Sequence, residues 1–161
     1  MFATINKQQD GYLAQFIRSL PYSVEVVWGV LTVNDKLQKW MENLEIVDLR
    51  KNGKMKFNMN DGSGSFEILT IVDYVEKEII EFNWGKDTVR FELSPTAEGS
   101  LLVLNESIRE ITAHTTKDLA GWHVCLELLY DLLNGVLHEE FPMDNWKNSY
   151  EQYKLIVENT K

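Results

Sequence analysis

A single cysteine, Cys125, stands among 161 residues, so the chain can form no internal disulfide and must hold its fold by burial. Basic residues are scarce beside acidic ones, 16 against 25, for a net charge of -9. A field of that sign repels phosphate backbones and anionic bilayer surfaces, which argues against nucleic acid or a membrane as partner. No apolar run reaches the roughly 18 residues of a membrane span. Glu25, Asp35 and Lys36 interrupt even the richest early segment. The opening MFATINKQQDGY has no basic stretch followed by an apolar one, so a secretory signal is not expected and the expected location is cytoplasmic. His114, His123 and His138 fall in no Cys-x-x-Cys or His-Glu-x-x-His pattern, and neither a metal nor another cofactor is expected. There is no Gly-x-Ser-x-Gly elbow. The glycines of Asp61-Gly62-Ser63-Gly64 lack the lysine and the following helix of a phosphate loop and read as turn residues.

What is present is the balance of a folded protein, with 44% hydrophobic and 25% charged residues. A chain of this length removes roughly 70% of its unfolded surface on folding, enough for a core with room for a cavity. No repeat or linker divides it, and a single domain over residues 1–161 is expected. The segment from Gly11 to Leu20 is rich in aromatic and branched residues without helical spacing, and Pro21 closes it, which predicts a first strand. Ser23 then caps a helix whose Val24, Val27, Trp28 and Leu31 share one stripe. Asn34 is positioned to cap a second short helix carrying Leu37, Trp40, Met41 and Leu44.

From Glu45 to Ile108 the period becomes two, most plainly in Lys54-Met55-Lys56-Phe57-Asn58-Met59. Strands at Phe66 to Val72, Ile79 to Trp84, Thr88 to Leu93 and Leu101 to Ile108 are separated by short turn-rich segments, as an antiparallel meander requires. At Thr115 or Thr116 the 3.6-residue period returns, with Asp118 completing a Thr-x-x-Asp capping pattern. The long helix that follows places Trp122, Cys125, Leu126, Leu129, Leu132, Leu133 and Val136 on one face and ends near Gly135. Trp146, Tyr150, Tyr153 and Val157 are spaced for one more amphipathic helix. The order predicts an α+β fold in which a curved antiparallel sheet wraps a long helix, with two short helices after the first strand.

Two motifs carry a resemblance. The run Arg18-Ser19-Leu20-Pro21-Tyr22-Ser23-Val24-Glu25-Val26-Val27-Trp28, followed by Leu31-Thr32, Leu37 and Trp40, is similar to the strand exit and helix pair of the activator of Hsp90 ATPase homologue 1-like family, within the START/Bet v 1/SRPBCC superfamily. Gly121-Trp122-His123-Val124-Cys125-Leu126-Glu127-Leu128-Leu129 resembles the Gly-Trp-x-x-x-Leu-x-x-Leu signature of that family's long helix. The resemblance implies a helix-grip fold with a largely apolar pocket for hydrophobic small molecules, and in a few branches cyclase or hydrolase chemistry. It also implies a chaperone or stress-response accessory as an alternative, although the co-chaperones behind the family name carry a separate Hsp90-binding domain for which this chain has no length. Fold of itself does not carry function.

A hydrophobic or amphipathic ligand between long helix and sheet is therefore the leading expectation, with a protein partner or catalysis as alternatives and a monomer or homodimer as the assembly. Phe57, Met59, Phe66, Phe82, Trp84 and Phe91 supply the sheet side of a pocket if they point inward, and Trp122, Cys125, Leu126 and Leu129 the helix side. Their plainer role is core packing, and burial should keep the Cys125 thiol inert. His123, at the flank of the stripe, is the one weak catalytic candidate; bonding a neighbour or meeting solvent is its plainer role. Glu106, Arg109 and Glu110 form a charged cluster where sheet passes to helix, placed for a polar pocket mouth.

Overall fold

The computed structural model describes residues 1–161. Strands β1 (Thr4–Gln8) and β2 (Gly11–Leu20) lead into helices α1 (Val24–Thr32) and α2 (Asn34–Trp40). Then come β3 (Leu44–Asp48), β4 (Lys54–Asn58), β5 (Phe66–Val75), β6 (Ile79–Trp84), β7 (Asp87–Thr96) and β8 (Gly99–Ile108), and finally helices α3 (Thr115–Leu133) and α4 (Met143–Thr160). All neighbours pair antiparallel in one curved sheet of order β1-β2-β8-β7-β6-β5-β4-β3. This is the α+β, helix-grip-like arrangement. The helix pair carries the chain from β2 to the far edge of the sheet, and α1 touches β7, β8 and α3 on the way.

Alternation decides which residues meet α3. Ser100, Leu102, Leu104, Glu106 and Ile108 are buried on β8, as are Val89, Phe91 and Leu93 on β7, while the residues between them are partly or fully open. Leu119, Trp122, Leu126 and Leu129 on α3 belong to the same core, where each fully buried large side chain contributes roughly 1.5–3 kcal/mol. The sheet bends at β5. Its residues 66–70 pair with β4 and its residues 71–75 with β6, with a register shift between Ile71 and Asp73. On the outer face Arg90 bonds Asp73, Glu81 and Glu92 at 2.8–2.9 Å, tying β5, β6 and β7 together.

Four details differ from the sequence reading, each for a local reason. β1 was not expected: it is an edge strand of mostly exposed polar residues and shows no alternation. α2 stops at Trp40, so Leu44 opens β3 instead of closing the helix. Asn34 is not a cap; its amide instead donates to the Ile46 carbonyl at 2.9 Å and accepts from the Ile46 N–H at 2.7 Å. The stretch from Ser94 to Gly99 is less of a turn than its composition suggests. Pro95 pairs with Ser100 beyond the end of β6, where its missing N–H deprives no neighbour. Ser23 does cap α1, accepting from Val26 N–H at 3.3 Å.

His123 is not at the surface. Its ring stacks on Phe2 at 4.8 Å and lies between α3 and α4. The Ala3 N–H donates to the Tyr153 hydroxyl at 3.0 Å, that hydroxyl lies 2.8 Å from His123 Nδ1, and His123 Nε2 lies 3.3 Å from Glu127. The contacts fit a neutral imidazole whose Nδ1 accepts from the Tyr153 hydroxyl, with Nε2–H beside the Glu127 carboxylate. Burial, then the Arg18 guanidinium and the N-terminal ammonium, push the imidazole pKa down to about 4. A depressed folded-state pKa makes this stability complete above the unfolded value near 6.5 and lost as pH falls toward 4. Urea unfolding should therefore show stability declining between pH 6.5 and 4 by up to roughly 3 kcal/mol more in the wild type than in His123→Gln. Parallel pH profiles would refute the assignment.

Candidate functional site

Where α3 begins, the core opens. A cleft of about 510 Å³ lies between the first turn of α3, the ends of β4, β5 and β8, and the turn between β6 and β7. Phe57, Leu69, Trp84 and Ile108 supply its apolar wall. Glu67, Lys86, Asp87, Glu106, Arg109, Glu110, His114 and Asp118 supply charged or titratable groups.

Trp84 closes the cleft off from the core. Its ring lies 5.0 Å from Trp122 and 5.5 Å from Phe57, and its Nε1–H donates to Asp118 Oδ1 at 2.8 Å. The Thr-x-x-Asp pattern is therefore used differently from a capping box: the Asp118 side chain serves Trp84, and the Thr115 hydroxyl accepts from Thr112 N–H at 2.9 Å. Asp118 in the first turn of α3 still benefits from the positive end of the helix dipole. Asp87 Oδ1 accepts from the Arg109 N–H at 2.9 Å and pins the β6–β7 turn to the exit of β8.

Glu106 is the outlier of this region. Alternation along β8 turns it inward with Leu104 and Ile108, and it pairs in register with Ala14 and Val89, all three being 0% exposed. As a carboxylate it would have no hydrogen-bond donor for either oxygen. Only by holding a proton does it gain a partner, its hydroxyl donating to the Asp118 carboxylate. Burial first, then that bond and the charges of Asp118 and Asp87, raise its pKa well above the usual carboxylate range.

Among the residues named from the sequence, the structure brings Phe57, Trp84, Glu106, Arg109 and Glu110 to this cleft. The others do not line it. Phe82, Phe91, Trp122, Leu126 and Leu129 are core, with Phe91 6.0 Å from Trp122 and 6.4 Å from Phe82, so their bulk fills the space beneath the middle of α3. Phe66 is largely exposed under Lys56, and Met59 follows the end of β4. Cys125 meets Met41 at 3.6 Å beside a separate cavity of about 120 Å³, its thiol pKa pushed up to about 12 by burial. His123 is not part of the cleft lining and lies in the α4 contact already described. Sequence reasoning missed Asp118 as a site residue and Glu106 as an inward one. The second was readable, because period two puts Glu106 in phase with Leu102 and Leu104.

The family model of the activator of Hsp90 ATPase homolog 1-like proteins matches residues 21–134. The chain belongs to this family. Among solved structures, a conserved protein of unknown function from Enterococcus faecalis is similar at 26% identity and a TM-score of 0.85, over 99% of this chain and 92% of that one. CalU16 from Micromonospora echinospora is similar at 19% identity and a TM-score of 0.72, over 96% and 95% of the two chains. DynU16, a putative protein in the dynemicin biosynthetic locus, matches at 19% identity and a TM-score of 0.66, over 79% of this chain and 48% of that one. No curated protein matches. For this family member the match includes both motifs that carried the resemblance from Pro21 onward, and ends at Asn134, at the close of α3.

The buried acid sets a stability test. A folded-state pKa above the unfolded value of about 4.5 gives stability that is full below pH 4.5 and lost as pH rises. Glu106→Gln keeps the shape and cannot ionise. It should raise stability at pH 7.5 by roughly 1–3 kcal/mol and leave stability at pH 4 nearly unchanged, read by denaturant titration at both values. An equal or lower stability at pH 7.5 would refute the buried-acid assignment.

Proposed function

We propose that this family member binds a small molecule, hydrophobic or amphipathic in character, in the cleft at the start of α3. The observation that carries the reading is the composition of that cleft. An apolar wall of Phe57, Leu69, Trp84 and Ile108 faces a few oriented polar groups, the usual make-up of a ligand site, and its volume of about 510 Å³ suits a small organic ligand. The helix-grip fold is commonly used to bind ligands, which supports the same reading. It differs from the sequence expectation in one respect: the ligand sits at one end of the helix-sheet interface, because aromatic side chains occupy the middle.

A second reading, catalysis, draws on the pairing of Glu106 with Asp118, since two carboxyl groups holding one proton can give and take it. It rests on the same cleft and needs a bound substrate first. The alternative of a protein-interaction module needs no cleft ligand at all.

Nitrogen-15 spectra separate these readings. Titration with a panel of hydrophobic and amphipathic small molecules should shift the Trp84 indole resonance and the amides of Gly85, Arg109 and Thr115. Trp84→Ala should weaken any such ligand at least about tenfold, because a buried aromatic contact of this size contributes more than 1.4 kcal/mol. Shifts confined to other surfaces, or none across the panel, would sink the cleft as a binding site.

A further inference from the structure

The cleft holds more negative than positive charge. Glu67, Asp87, Glu110 and Asp118 stand against Lys86 and Arg109 even with Glu106 in its acid form, and neither cation makes an ion pair. Acidity alone would be unremarkable on a chain of net charge -9. What singles this place out is Glu106, 0% exposed, with neither carboxylate oxygen receiving a donor.

Resting on the binding reading above, we infer that the cleft is a site for a small organic amine whose ammonium head enters between Glu106 and Asp118 while its apolar body lies along Trp84 and Phe57. The ammonium brings the N–H donors that Glu106 lacks, and it compensates the carboxylate charge that burial otherwise disfavours. The ring faces around it add to the match, since an organic cation is attracted to the face of an indole or phenyl ring. A metal ion fits less well, because no group of three or more histidine, cysteine or acidic side chains converges anywhere in the fold. A carboxylate ligand would meet like charge from Glu67, Asp87, Glu110 and Asp118.

The exchange balances in protons. Before binding, Glu106 carries the proton it donates to Asp118. The ligand arrives as R–NH3+, the Glu106 proton leaves to solvent, and the complex holds one ammonium between two carboxylates. The groups facing Glu106 are Asp118 on α3 and Asp87 at the start of β7, both of which favour its acid form, with Glu67, Lys86, Arg109, Glu110 and His114 farther round the cleft wall. Of these, the two cations assist proton loss and the acids oppose it.

Calorimetry with the full chain tests this, using 2-phenylethylamine as lead probe beside 2-phenylethanol and 3-phenylpropanoate of similar shape, with longer aryl- and alkylamines as a series. At pH 7 the amines should bind at least tenfold more tightly than the matched alcohols, and the carboxylate should not bind. Comparing phosphate with Tris buffer should show close to one proton released per amine bound. Glu106→Gln should abolish both the proton release and the preference for amine over alcohol, while still shifting the Trp84 indole resonance on adding alcohol; Asp118→Asn gives the same test from the other side of the pair. If alcohols bind the cleft as well as amines do, or amines bind without releasing a proton, the amine assignment falls and the binding reading stands. If no probe of any charge moves the Trp84 resonance, both fall.

Discussion

The indole of Trp84 is the contact on which the functional end of this fold depends. Standing at the end of β6, it packs against Trp122 of α3 on the core side and against Phe57 of β4 toward the cleft, and its N–H holds Asp118. That single side chain joins the sheet to the start of the long helix, terminates the packed core and fixes one carboxylate. Burial first, and then the Asp118 carboxylate held there, disfavour a charge at the neighbouring inward position on β8. The acid form of Glu106 follows from its burial, and Trp84 places beside it the carboxylate that receives its hydrogen bond.

Why the interface opens at one end is a matter of side-chain size along α3. Trp122, Leu126 and Leu129 fill the groove against Phe82 and Phe91 over the central part of the helix. One to two turns earlier the residues of α3 that face the cleft are Thr115 and Asp118, too small to reach across to Leu69 and Phe57. At the other flank α4 is clamped by Tyr153, which takes the Ala3 N–H and faces His123, so that side is sealed by satisfied hydrogen bonds and by the stacked Phe2 ring. Between long helix and sheet, the frame thus opens where the helix begins.

Much of this could be read from the chain. The switch from a period of two to a period of 3.6 near Thr115 located the meander and the long helix, and the Gly121-Trp122 signature named the family that the match over residues 21–134 then showed. Periodicity put Trp122, Leu126 and Leu129 on one apolar face of α3 and left open which face of the sheet carried Phe82 and Phe91, which the structure buries in the same core. It could not say that they meet each other instead of lining a pocket, because that depends on the distance between helix and sheet, a long-range quantity with no local trace. β1 escaped notice because an edge strand needs no apolar alternation, and Asn34 and Asp118 were misassigned because local capping chemistry competed with partners twelve and thirty-four residues away. Glu106, Arg109 and Glu110 were legible as a cluster at the sheet-to-helix junction. The inward direction of Glu106 was readable from alternation, yet its full burial depended also on Ala14, supplied by β2, a strand the meander does not place beside it.

A buried acid of this kind is poorly explained by stability. The charged network of Arg90 on the outer face joins three strands while staying partly hydrated, and each of its three carboxylates meets the guanidinium. Glu106 contributes only the one proton it shares with Asp118: its backbone already pairs with Ala14 and Val89, and an apolar side chain at this point would pack beside Leu104 and Ile108 without any ionisation to suppress. Sites that hold a local conflict while the surrounding elements agree with one another are characteristically functional. Here the conflict lies at the floor of the cleft, beside the one tryptophan that bonds the helix start, and it is relieved by any cation small enough to enter. The same residue that weakens the empty protein above pH 4.5 would thereby strengthen the occupied one, so that folding stability and ligand affinity are linked through a single proton.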